Sequence, residues 1–445
     1  ENKNTTLYLG DCLEELKNIQ DNSVDCIVTD PPYQLSSITK PRLDQNDNGE
    51  SWNPFCRVQA RKGFMGKSWD ILPPIEVWKE CLRVLKPGAF AFIMTTPRQD
   101  SLCQILMDIT QAGFRTDFTS IYWSYSSGFP KAANIGKLLE KRGIIKEEIK
   151  KSYSGFQPKP AVEIILVVMK PLSEKTFTEQ ALNNGHGITH LDDCRIPIEN
   201  VENEDGYREN AKNHKTKNGA TTIFNLGGKA NQDLGFYNSK GRFPANLLVS
   251  DDILNDNIDR KGVSGGGPKE YGGGGGFENR LNRQPVKNFY NDLGSFSRYF
   301  DLDFWFKETI KKLPKNIQKV FPFIIESKAN KSEKNKGLEF ENYKVGGGIK
   351  GTEDKSLKTG SGNERNNLNK NSHPTVKPIK LMSYLITLGS RKGDIILDPF
   401  MGSGSTGVAA KLLNRQFIGI EREEDYTKIA EQRIKEVTVQ EKLFD

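Results

Sequence analysis

At 445 residues the chain exceeds what one compact core usually holds, so a large domain with a second module is expected. Hydrophobic residues make up 36% and charged residues 27%, which excludes a wholly disordered chain, and 64 Lys and Arg against 57 Asp and Glu leave a net charge of +7 that permits a polyanionic partner without demanding one. The most apolar run, 161–169, carries Glu163 and is too short for a bilayer, no N-terminal signal sequence is visible, and the six cysteines (Cys12, Cys26, Cys56, Cys81, Cys103, Cys194) form no C-x-x-C pair, so reduced, mostly buried thiols in a cytoplasmic protein with no membrane partner are expected.

Three zones follow in chain order. In residues 1–172 the apolar runs at 24–29, 89–96, 118–123 and 162–169 read as buried strands. Between them, Val77, Trp78, Cys81, Leu82 and Leu85 recur at helical spacing over 75–86, and Lys86-Pro87-Gly88 reads as the helix stop. Leu102, Ile105, Leu106 and Ile109 mark a second helix closed by Gly113. Residues 173–372 are polar, rich in Asn and Lys, and broken by glycine runs at 265–267, 272–276 and 346–348, so this zone is expected to be irregular. Residues 373–445 return to strand and helix: a helix over 379–388, a strand ending in Asp398, a helix over 406–413, a strand over 416–420 and a closing helix over 423–435. Such alternation implies a mainly parallel sheet covered on both faces.

Chemistry concentrates at three strings. Asp30-Pro31-Pro32-Tyr33 closes the first central strand, at the end where open α/β sheets place their sites. For an exocyclic amino group, whose lone pair is delocalised into its ring, Asp30 can accept one N–H and the Pro31 carbonyl the other, turning the lone pair outward. Pro32 stiffens the turn, and Tyr33 offers a face for stacking a base. Taken alone, the string would serve equally as a simple turn. Asp398-Pro399-Phe400-Met401-Gly402-Ser403-Gly404 follows a strand and opens a helix, where small residues let backbone N–H groups approach a ligand. Glu421-Arg422 ends the next strand, and Glu421 is placed to accept ribose hydroxyls. That pattern would also suit a dinucleotide, and a glycine turn alone can exist for packing. His373-Pro374-Thr375-Val376-Lys377-Pro378 precedes a helix, and Thr375 and Lys377 are placed to bind an amino-acid carboxylate. His186 and His190 are four apart and precede Asp192, Asp193 and Cys194, so a metal site is conceivable, but no C-x-x-C partner supports it and none is expected.

Together these strings resemble the amino-group DNA methyltransferases. Asp30 to Tyr33 resembles motif IV, Asp398 to Gly404 motif I and His373 to Pro378 motif X, in the order of the β group. The strings at 63–70, 127–131, 159–163 and 241–246 resemble a branch common among phage-type modification methylases, and Leu9-Gly10-Asp11-Cys12-Leu13 resembles the strand end that contacts the cofactor's adenine. The resemblance implies a Rossmann-like, doubly wound sheet of seven strands, circularly permuted, with an irregular target-recognition region inserted at 173–372 between a catalytic half (1–172) and a cofactor half (373–445). It implies S-adenosylmethionine as cofactor, held by Asp11, Cys12, Asp30, His373, Thr375, Lys377, Asp398, Pro399, Phe400, Gly402, Ser403, Gly404, Glu421 and Arg422. It implies duplex DNA as partner, with homodimers and a cognate restriction endonuclease common in the group. Asp at the first position of motif IV is typical of N6-adenine enzymes; N4-cytosine methylation and a non-catalytic DNA-binding protein are the alternatives. The target base must leave the duplex, and Phe129 and Phe156 are either pocket walls or core. Sequence reading is expected of the central zone, where Arg195, Lys212, Lys215, Lys217, Lys229, Arg242, Lys261, Arg280 and Arg283 are candidates for phosphates and base edges, each also readable as plain solvated surface.

Overall fold

A computed structural model of the chain describes residues 5–34, 69–125, 134–144, 146–154, 156, 161–197, 241–250, 253–255, 260–261, 293–313, 334–335, 338, 344–345, 368–369, 371, 373 and 375–439. Eight strands form its central sheet: β1 (Thr5–Leu9), β2 (Val24–Thr29), β3 (Leu85–Thr95), β4 (Ile121–Ser124), β5 (Val162–Met169), β6 (Leu247–Val249), β7 (Ile395–Asp398) and β8 (Gln416–Glu421). Their order is β1-β8-β7-β2-β3-β5-β4-β6. Six are the strands expected from the apolar runs, β1 ends where the resemblance placed a strand end at Leu9, and β6, drawn from the central zone, makes eight where seven were expected. Neighbours run parallel except β5, which is antiparallel to both β3 and β4.

The pairing of β7 with β2 decides where a site can form. Leu397 lies beside Ile27, so a strand near the C-terminus abuts one near the N-terminus. From this seam the sheet is built outward in two directions, by β8 and β1 on one side and by β3, β5 and β4 on the other. Connections diverge there, and the strands' C-terminal ends open a crevice.

Helices cover both faces, and the side-chain alternation of β3 shows the division. Ala89, Ala91 and Ile93 point to a core shared with α1 (Cys12–Leu16), α2 (Ile75–Val84) and α3 (Gln99–Ala112). Phe90, Phe92 and Met94 point to the opposite core. That side holds α6 (Leu302–Lys311), α7 (Ile379–Gly389), α8 (Ser405–Leu412) and α9 (Glu424–Val439). Two further helices, α4 (Ile135–Glu140) and α5 (Phe177–Asn184), lie between β4 and β5 and after β5 in the chain. None of the helices among the described residues is long and apolar enough to cross a membrane.

Several local expectations shift. The helix α2 ends at Val84, and β3 begins at once with Leu85, which pairs with Val24 before the register shifts. The Lys86-Pro87-Gly88 string is therefore a bulge inside a strand. Lys86 turns to Asp25 at 2.5 Å, Pro87 has no N–H to lose, and Gly88 takes φ +80°. The strand expected over 118–123 starts at Ile121, because Phe118 packs edge-on against Phe90, ring centroids 5.4 Å apart. Cys26, Cys81 and Cys194 are buried as expected, Cys12 is half-buried, and Cys103 is exposed on α3; Cys56 lies outside the described residues.

Within the central zone the described residues include α5, β6 and α6. Trp305 and Phe306 of α6 are buried in the main core, and the Trp305 ring meets Tyr384 edge-on at 4.8 Å. Two arginines expected at DNA are structural instead. Arg195 is 5% exposed; it donates to Asp192 Oδ1 at 2.8 Å and to the Gly241 carbonyl at 3.2 Å. Arg242 is 7% exposed; it donates to the Pro197 and Arg298 carbonyls, both at 3.1 Å, and lies over the Tyr299 ring. A guanidinium suits this task because its fork can satisfy several carbonyls where segments 195–197, 241–250 and 293–300 meet. Lys212, Lys215, Lys217, Lys229, Arg280, Arg283 and the side chain of Lys261 lie outside the described residues. His186 is committed elsewhere, its Nε2 lying 3.0 Å from Asp25 Oδ1.

Candidate active site

Asp30 ends β2 and Asp398 ends β7, so the seam brings the two strings to one place. Thr29 ties them directly: its hydroxyl donates to Asp398 Oδ1 at 2.6 Å across 369 positions of sequence. Above the strand ends lies a cavity of about 380 Å³. Its wall includes Asp30, Pro31, Pro32 and Tyr33 from one string. The others supply Asp11, Cys12, His373, Thr375, Lys377, Asp398, Pro399, Phe400, Gly402, Ser403, Glu421 and Arg422. Of the residues in the three strings expected to carry the reaction or hold the cofactor, together with Asp11, Cys12, Glu421 and Arg422, Gly404 is not in the wall. It sits at φ +79° at the start of α8, where an added Cβ would lie 2.8 Å from Ala430 Cβ. Its smallness serves the packing of α8 on α9. Gly402, at φ +54°, faces the cavity, and an added Cβ would lie 2.7 Å from His373 Nε2.

One half of the cavity is built for hydrogen-bonding a polar ligand. Glu421 is fixed by two backbone donors, Gly402 N–H at 2.9 Å on Oε2 and Glu423 N–H at 2.9 Å on Oε1. Each oxygen keeps acceptor capacity for a hydroxyl. Burial raises the Glu421 carboxyl above its ordinary pKa, and those two donors pull it back. No side chain caps the N-terminus of α8, leaving its N–H groups for a ligand. Arg433 of α9 clamps the glycine turn from behind, donating to the Ser403 carbonyl at 2.5 Å. Asp398 is 2% exposed, and burial pushes it up to about 6 although Thr29, Thr406 and the Phe400 N–H all donate to it.

The other half holds a buried group of charges. Lys377 stands 2.5 Å from Asp30 Oδ2 and 3.3 Å from Glu163 Oε2, so the lysine expected to bind a carboxylate of the cofactor reaches Asp30 instead. The Tyr33 hydroxyl donates to Asp30 Oδ1, and the Tyr125 hydroxyl donates to Glu163 Oε1 at 3.2 Å. Burial disfavours the Lys377 ammonium, but Asp30 and Glu163 overcome it and hold the group above its ordinary pKa. Burial pushes the Asp30 carboxyl up; Lys377 opposes that and Glu163 adds to it. Asp30 is thus an acceptor whose present partner is a cation and whose neighbourhood carries one negative charge in excess.

Residues the sequence did not single out complete the wall. Trp69 lies parallel to His373 at 6.3 Å, and His373 meets Tyr426 edge-on at 4.6 Å, forming an aromatic side to the cavity. Trp69 falls in the string at 63–70, which carried a resemblance but no chemistry of its own. Thr29 and Thr406 gave no signal, because a threonine in a strand or helix is ordinary. Glu163 stood out as a charge inside an apolar run and ended the string at 159–163, which carried a resemblance but no assigned role. Phe156 is 92% exposed and belongs to neither core nor cavity, and Phe129 lies outside the described residues.

A family model described as DNA methylase matches residues 24–432, spanning both strings and the zone between them. The chain belongs to the DNA methylase family. Among curated relatives, the type II methyltransferase M2.DpnII of Streptococcus pneumoniae is 55% identical over 62 residues, 14% of this chain and 23% of that protein. The type II methyltransferase M.HinfI of Haemophilus influenzae is 44% identical over 82 residues, 18% of this chain and 23% of that protein. This DNA methylase therefore aligns with under a quarter of the length of either relative. Among solved structures it is similar to PvuII DNA methyltransferase (cytosine-N4-specific), with a TM-score of 0.40 and 13% identity over 98% of this chain and 91% of that one. It is also similar to the M1.HpyAVI–SAM complex, with a TM-score of 0.36 and 16% identity over 97% and 98%.

Proposed function

We propose that this DNA methylase transfers a methyl group from S-adenosylmethionine to the N6 amino group of an adenine flipped out of duplex DNA. The observation that carries the reading is the shared cavity. A buried carboxylate at the end of β2 and a ribose-type acceptor at the end of β8 open into one space of about 380 Å³. That size suits a nucleoside-sized cofactor with room beside it for a planar base.

The residues present fit that cofactor. Glu421 would accept its ribose hydroxyls, the N–H groups at the start of α8 would take its carboxylate, and Trp69, His373 and Tyr426 would wall its rings. When bound, the cofactor supplies an electrophilic methyl group on a positively charged sulfur. The chain's own part is then to hold the amino nitrogen. Asp30 Oδ2 and the Pro31 carbonyl would accept its two hydrogens, directing the lone pair at the methyl carbon, and Tyr33 would stack on the base. Alignment in a pocket shielded from water accounts for most of the rate. Methylation leaves one amino proton in excess, which Asp30 or water would take. An aspartate at this position favours adenine.

The test is expression in a methylation-free host, followed by mapping of modified bases in its DNA, with Asp30→Ala in parallel. N6-methyladenine at one short sequence, absent from the variant, is expected. N4-methylcytosine would overturn the choice of base, and unmodified DNA would overturn the activity.

A further inference from the structure

We propose that Glu163 is a positioning residue that receives the Lys377 ammonium when a substrate amino group takes its place on Asp30. The inference rests on the amino-methylation reading and explains how an occupied acceptor becomes available.

An incoming amino group would have to share Asp30 with the donors it already holds. Its Oδ2 holds Lys377 at 2.5 Å, and its Oδ1 accepts from Tyr33. An ammonium left at that spot would also donate to the amino nitrogen, occupying the lone pair that must attack. The cation cannot simply retreat to water, because Lys377 is 8% exposed and a buried charge without a partner is costly. One acceptor lies within a short swing. Glu163 Oε2, 3.3 Å from Lys377 Nζ, is sealed from solvent and has that lysine alone facing it among the described residues, while Oε1 is held by Tyr125. One oxygen is anchored, and the other makes only a long contact that the lysine can shorten.

The elements suit a fixed receiver and a moving cation. Glu163 sits on β5, hydrogen-bonded between β3 and β4, so its backbone has little freedom. Lys377 carries its charge on a flexible stem over the Tyr33 ring, 5.2 Å from the centroid, which keeps a cation attracted during the move. Charge counting agrees. Two carboxylates and one ammonium leave one negative charge, so whichever carboxylate the lysine abandons can accept a hydrogen from elsewhere.

The groups facing the lysine are Asp30 and Tyr33 from the loop after β2, Glu163 from β5, and Tyr125 through Glu163; Asp398 of β7 is a further carboxyl that Asp30 influences. Removing Glu163 thus lowers the lysine's hold on its proton and strands it on Asp30.

The experiment is a double-mutant cycle of Glu163→Gln and Lys377→Met in the full chain. It reads methyl transfer to DNA bearing the target mapped for the wild type, together with cofactor and DNA affinities and a pH profile. Glu163→Gln should lower kcat by about tenfold or more, because the competent state is depopulated, with both affinities within about threefold of wild type. Its activity should climb as pH is raised and Lys377 loses its proton, a limb absent from the wild type. The double variant, which restores the net charge of the trio, should recover most of the lost turnover. A Glu163→Gln enzyme with wild-type kcat, or a double variant no better than Glu163→Gln, would overturn the inference alone. A wild type inert on DNA would remove the methylation reading and this one with it.

Discussion

Asp398 illustrates how a single carboxyl can be both expensive and well satisfied. Three donors converge on it, yet burial keeps its pKa at about 6 rather than the ordinary 3.8. Between those values the folded chain holds a proton that the unfolded chain has released. Stability from this group is therefore present at low pH, declines as pH rises through that window, and is flat above it. Subtracting the pH dependence of Asp398→Asn from that of the wild type, by thermal unfolding, should leave a falling component worth about 2 kcal/mol between pH 4 and 6. A flat difference would mean that the three donors fully offset burial. Glu421 carries a different expectation, because its oxygens are aimed into the cavity. Glu421→Ala should weaken cofactor binding by about tenfold or more in calorimetry, the loss of charge-assisted hydrogen bonds, with little change in fold. Asp30, Asp398 and Glu421 were all legible in the sequence, because a carboxylate following a buried strand is a pattern that survives without coordinates. Glu163 and Thr29 were not. Their partners, Lys377 and Asp398, are distant in sequence, and only the seam between β7 and β2 brings them into reach.

At the scale of elements, the turn between β7 and α8 separates two uses of glycine. Gly402 faces the cavity and His373, whereas Gly404 faces α9. Both have positive φ, so alanine at either is strained by about 1 kcal/mol. At Gly404 the new methyl also meets the Ala430 backbone at 3.0 Å, which cannot yield as a side chain can. Gly404→Ala should therefore lower the thermal midpoint by several degrees, an overpacking cost of about 2 kcal/mol. Gly402→Ala should spare the midpoint more and weaken cofactor binding, because the His373 ring must move into the cavity. Equal loss of stability in both variants would contradict the division. The strings revealed this turn, but not which glycine served the ligand. Secondary structure was legible where apolar periodicity ran for several turns or a full strand, as in α2, α3 and β2. It failed for β6, whose three residues are too few to show a period, and for α6, whose Trp305 and Phe306 lie in a zone of polar composition. It also failed at Lys86-Pro87-Gly88, where helix-stop chemistry and bulge chemistry use the same residues.

For the whole molecule, the permuted order makes one sheet of two chain ends. β1 pairs with β8 along five residues, and the described parts of the central zone pack onto the catalytic side through β6 and α6. The described parts of that zone thus share the core of the sheet. The same geometry changes the reading of its basic residues. Arg195 and Arg242, buried on backbone carbonyls, hold segments together. DNA affinity should still fall steeply with salt, by about 0.9 in log K per log salt for each neutralised phosphate, because the proposed substrate is a polyanion met by a chain of net charge +7. Arg242→Gln should leave that slope unchanged while lowering the thermal midpoint, since it removes two backbone hydrogen bonds and a ring contact from a buried junction. The two measurements separate the roles cleanly. A smaller slope at unaltered stability would return Arg242 to the DNA, and a flat salt profile in the wild type would remove the basic central zone as the binding surface altogether.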